Sequence, residues 1–147
     1  MPKEIRGLLI HRCESGLTGE AVKMAEREEG LGYHFFINPK GGIEQLYPDT
    51  ELVWHARRWS TCTLGIAVYG DFYSPDGSVH RDVTPEQWTS LVSLCRSLTQ
   101  KHGNLFILGH TDMACATHDA GKVCPGDRLD VAKLTREVYA GEAGPLC

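Results

Sequence analysis

The chain has 147 residues, enough for one domain with a real hydrophobic core, and its 41% apolar and 23% charged content are ordinary for a globular protein. The formal net charge of −4 gives no electrostatic reason to expect nucleic acid, and no apolar stretch approaches the roughly 20 residues that span a bilayer. The six cysteines are about 4% of the chain, below the roughly 8–10% of a disulfide scaffold, and their irregular spacing reads as thiols, several of them buried.

The N-terminal residues Met1-Pro2-Lys3-Glu4-Ile5-Arg6-Gly7 hold charges but no apolar core of about 7–15 residues after them. The expectation is synthesis in the cytoplasm without a signal peptide, and no stable membrane anchoring. Residues 8–11, Leu-Leu-Ile-His, read as a strand. Thr18 is a plausible N-cap, with Leu17 and Val22 placed as a hydrophobic staple, for a helix that runs to about Glu29 before Gly30 and Gly32. Residues 34–38 and 43–47 flank Pro39-Lys40-Gly41-Gly42, a hairpin signal. Residues 64–70 and 105–109 are short apolar runs of the kind found in a sheet covered by helices.

Between those runs, Thr84-Pro85-Glu86-Gln87 combines a capping box with proline at the first helical position. Trp88, Leu91, Val92, Cys95 and Leu98 follow at helical spacing, and Gly103 suits the stop. A last helix starts at about Asp127 or Asp130 and ends at Tyr139, with a loose tail over residues 141–147. The mixture predicts an α/β fold: a single domain over residues 1–147, core about 7–140, with a mixed central β-sheet flanked by about three helices. The chain is expected to be a monomer.

Ligands in such sheets collect at the carboxyl ends of strands. His11 and His110 both close apolar strands there. Cys124 lies in Lys122-Val123-Cys124-Pro125-Gly126, where Pro125 biases it to extended backbone. Two imidazoles and a thiolate suit zinc, and three protein ligands leave a position for water, as in hydrolytic sites. Lys122, two residues before Cys124 in an extended segment, would face the same way. There it could offset the thiolate or stabilise an oxyanion, although spacing alone favours a solvated surface lysine. Cys115 with His118 is a competing pair that could join His110, and Cys13 is another candidate ligand.

The segments Leu8-Leu9-Ile10-His11, Gly32-Tyr33-His34-Phe35-Phe36-Ile37, Gly41-Gly42-Ile43-Glu44-Gln45, Trp54-His55-Ala56, Leu64-Gly65-Ile66-Ala67-Val68, Gly109-His110-Thr111-Asp112 and Lys122 to Gly126 occur in one order. In that order they resemble the zinc-dependent N-acetylmuramoyl-L-alanine amidases of the peptidoglycan recognition protein superfamily, most closely the phage-lysozyme branch. The resemblance covers about residues 8–139. It implies Zn2+ held by His11, His110 and Cys124, with Tyr33 and Lys122 as catalytic residues. His34, Trp54 and His55 would bind substrate. Arg12 departs from the second histidine common after the first ligand, and Cys124 stands where many relatives carry aspartate.

The resemblance further implies an endolysin that hydrolyses the amide between N-acetylmuramic acid and L-alanine in peptidoglycan, reaching the wall through a holin. A cytosolic amidase that recycles anhydromuramyl peptides is one alternative. A non-catalytic peptidoglycan-binding module is another, against which the cysteine ligand speaks. Nothing in the sequence bears on a regulatory protein partner.

Overall fold

A computed structural model describes residues 4–13, 32–53, 55, 60–70, 83–109 and 129–139. The helix expected after Thr18 lies outside them. The described residues include five strands: β1 (Gly7–Cys13), β2 (Phe35–Ile37), β3 (Ile43–Gln45), β4 (Thr63–Tyr69) and β5 (Phe106–Gly109). They also include two helices, α1 (Pro85–His102) and α2 (Val131–Val138). The strand order is β3-β2-β4-β1-β5. β1 runs parallel to β4 and β5, β2 runs parallel to β4, and β3 closes the edge as the antiparallel arm of a hairpin. This is the expected α/β architecture with a mixed sheet.

The central strands are apolar on both sides because both sides are covered. Leu8, Ile10, Leu64, Ile66, Val68 and Ile107 share one core with Leu91, Leu94, Cys95 and Leu98 of α1 and Leu134 of α2. Alternation sends the intervening residues Leu9, His11, Phe36 and Ala67 to the other face. Phe36 and Ala67 pack there with Leu46, Tyr47 and Val53, and Tyr33 lies against them. The functional residues described below belong to this second face.

α1 begins as the sequence predicts. The Thr84 side chain accepts from the Gln87 backbone N–H, and the Gln87 side chain accepts from the Thr84 N–H. Thr84 Oγ1 also donates to Pro39 C=O, 3.2 Å away, which ties the helix start to the hairpin. In the hairpin, Asn38 Oδ1 accepts from the Lys40 and Gly42 N–H groups, while Gly41 sits at φ 87°. A side chain at Gly41 would also press on the Glu86 carbonyl, so glycine is required twice over.

The far end of α1 is fastened by Asp49, which is buried in the loop after β3. Its carboxylate accepts from Lys101 Nζ (2.9 Å), His102 Nε2 (2.8 Å) and Gln45 Nε2 (3.1 Å). Lys101 and His102 occupy the last helical turn, where cationic groups complement the helix dipole. Burial pushes the Asp49 carboxyl up, but the hydrogen bonds and charges of Lys101 and His102 outweigh it and hold the group below its ordinary value. α2 is capped by Asp130, whose side chain accepts from the Lys133 N–H. Cys95 is a buried free thiol, and burial pushes it up to about 12.

Candidate active site

His11 lies near the carboxyl end of β1, is only 2% exposed, and points to the face away from α1. Two rings meet it. The Tyr33 ring is tilted 48° against it at 4.9 Å between centroids. The His55 ring meets it edge-on at 5.0 Å, with His55 Nδ1 3.0 Å from His11 Nε2. β5 ends beside β1, with Gly109 paired to Ile10. The next residue in each strand's sequence is a histidine, His11 and His110; His110 lies outside the described residues, as do Trp54, Lys122 and Cys124. Among the described residues, no group of three His, Cys, Asp or Glu side chains could hold a metal ion.

Gly65 organises the floor of the site. Its N–H donates to His34 Nδ1 (3.1 Å), and its carbonyl accepts from the His34 N–H (2.9 Å). The His55 ring lies flat on it. A Cβ at Gly65 would stand 2.8 Å from His55 Cγ and 2.9 Å from Nδ1. His55 is held from two further sides: its N–H donates to Ser60 Oγ (3.0 Å), and its Nε2 is 3.3 Å from Thr63 Oγ1.

His34 and His55 are expected from the sequence to bind substrate, and the structure shows what surrounds each ring. His34 is fully buried. Its Nδ1 accepts from Gly65, so its proton sits on Nε2, which donates to the Glu51 carbonyl (2.9 Å). Both nitrogens are therefore spent on backbone, and the ring pins the loop after β3 to β4. His55 is 9% exposed and turns Nδ1 to His11 and Nε2 to Thr63. Its ring nitrogens serve the interior of the site.

Tyr33, by contrast, is half-buried beside His11. The ladder of β2 starts only at Phe35, so strand alternation does not govern Tyr33 and His34. Thr63, Ser60 and Gly65 escape the sequence reading. Gly65 alone left a signal there, since a glycine within a buried strand marks a close approach.

The model of the N-acetylmuramoyl-L-alanine amidase family, Amidase_2, matches residues 1–127. The chain belongs to this family. No curated protein matches the amidase in sequence. Among solved structures it is similar to the N-acetylmuramoyl-L-alanine amidase LysC from Clostridium intestinale URNW, with 24% identity, 92% of this chain and 86% of that one covered, and a TM-score of 0.80. The Ph2119 endolysin from the Thermus scotoductus MAT2119 bacteriophage Ph2119 gives 19% identity, 94% and 87% coverage and a TM-score of 0.71. AmiD from E. coli, in complex with anhydro-N-acetylmuramic acid-L-Ala-D-gamma-Glu-L-Lys, gives 20%, 90% and 57%, and 0.70. At these identities the likeness is one of fold. The amidase thus has its family's fold, with His11, Tyr33 and His55 gathered on one face of the sheet.

Proposed function

We propose that the amidase is a zinc hydrolase of the endolysin type, cutting the amide between the lactyl group of N-acetylmuramic acid and L-alanine in peptidoglycan. The observation that carries the reading is His11: a buried imidazole near the end of a parallel strand, ringed by Tyr33 and His55, in a chain of this family. The donor chemistry fits the metal. His11 offers an imidazole, β5 leads directly into His110, and Cys124 adds a thiolate, a set that suits zinc. When bound, zinc lowers the pKa of water and polarises a carbonyl.

The protein's own groups do the rest. The Tyr33 hydroxyl orients the attacking water or passes its proton. The Lys122 ammonium stabilises the negative charge that develops on the carbonyl oxygen. Water adds to the carbonyl carbon, the C–N bond breaks, and the alanine amine leaves with a proton. In this reading the enzyme reaches the wall when a holin opens the membrane, and acts as a monomer on peptidoglycan.

Zinc analysis of the wild type and of His11→Ala, His110→Ala and Cys124→Ser, each paired with digestion of intact sacculi, tests the proposal. The expected result is about one zinc per chain and new N-terminal alanine in the wild type, with both lost in each variant. Release of alanine termini by a zinc-free wild type would refute the metal. Turnover confined to soluble anhydromuramyl peptides would replace the endolysin by a recycling enzyme.

A further inference from the structure

The contact between His11 and His55 decides more than packing. An imidazole has two nitrogens, and His11 Nε2 stands 3.0 Å from His55 Nδ1. One of these nitrogens must carry the proton they share. We propose that His55 is a positioning residue: it takes a hydrogen bond from His11 Nε2–H and so leaves Nδ1 of His11 as the atom that binds the metal. This inference rests on the zinc reading above.

A histidine that binds a metal through one nitrogen characteristically donates the N–H of the other to a fixed acceptor, which sets both tautomer and ring orientation. His55 is built as such an acceptor. With Nδ1 accepting, its own proton lies on Nε2, where Thr63 Oγ1, fully buried at 3.3 Å, receives it. The opposite polarity would place a proton on Nδ1 of His11 and remove the only lone pair left for a metal. Metal binding therefore selects one direction along Thr63, His55 and His11.

The acceptor is also held from several sides. Gly65 leaves the His55 ring room to lie flat on β4, Ser60 Oγ takes its backbone N–H, and the His34 ring meets it edge-on at 5.9 Å.

His55→Phe keeps a flat ring on Gly65 but has no acceptor. His55→Asn places an amide oxygen close to where Nδ1 was. Zinc affinity by chelator competition should weaken about 10–100-fold in His55→Phe, and His55→Asn should recover most of that loss. In the wild type carrying nitrogen-labelled histidine and isotopic cadmium in place of zinc, metal coupling should appear at His11 Nδ1, with the proton on Nε2. Coupling to Nε2 overturns the assignment even if His55→Phe fails to fold. Equal zinc affinity in a folded His55→Phe also overturns it, and leaves the zinc reading standing. A wild type that takes up neither metal refutes the zinc reading, and the assignment with it.

Discussion

Gly65→Ala is the smallest change that tests how the site is assembled. The added methyl would stand 2.8 Å from His55 Cγ, whereas ordinary contact begins near 3.4 Å, so the ring must retreat by about 0.6 Å. That is more than the slack in its 3.0 Å contact with His11, because such bonds weaken beyond about 3.2 Å. Overpacking of this kind costs about 1–3 kcal/mol. Loss of glycine's freedom in the unfolded chain returns about 0.4–1 kcal/mol. The net expectation is a destabilisation of about 1–2 kcal/mol, which for a domain of this size lowers Tm by about 3–6 °C. Thermal melts of the metal-free protein measure this, and chelator competition measures the accompanying loss of zinc affinity. An unchanged Tm together with unchanged zinc affinity would refute the claim that Gly65 exists to seat His55.

Other consequences are equally open to measurement. Asp49 has a lowered pKa in the folded state, so its contribution is complete above the ordinary carboxylate value of about 3.9 and is lost as pH falls through the lower folded value. Urea titrations should show a steep acid limb for the wild type and a flatter one for Asp49→Asn, with a loss of about 1–3 kcal/mol at neutral pH; parallel acid limbs would contradict this. Thr84→Ala removes the cap of α1 and should cost about 0.5–2 kcal/mol by denaturant unfolding, with Thr84→Ser close to wild type. Cys95, with its thiol pushed up to about 12 by burial, should resist alkylation at mild pH in the folded protein, while half-buried Cys62 reacts first, as mapped by peptide mass spectrometry. Lys122→Ala should lower turnover about 100–1000-fold with zinc retained, and near-normal turnover by the folded variant would remove Lys122 from the mechanism.

Much of this was legible in the residues. α1 is announced by the capping box at Thr84 and Gln87, since both hydrogen bonds close within four residues. The hairpin follows from Gly41 and Gly42, and His11 from its place at the end of an apolar run. What could not be read is the interlocking of side chains across the sheet. His11 meets His55 from 44 positions away, and His34 meets Gly65 from 31. Neither distance leaves a periodic trace. The same holds for Asp49, an ordinary loop aspartate until Lys101 and His102 come back to it.

The position of β1 has a consequence for how the enzyme comes into being. It is the first strand of the described chain, yet it lies between β4 and β5, with Gly7 paired to Thr63 on one side and Phe106 on the other. As the chain is synthesised, Leu8, Leu9 and Ile10 wait through about a hundred residues before both edges are covered. Contacts of such long range make folding slow and leave an apolar strand open to wrong pairings meanwhile. His11 waits less long: Tyr33 and His55 follow within 44 positions, and β4 can pair with β1 before β5 has been made, so this half of the site can assemble while the far edge of β1 is still open.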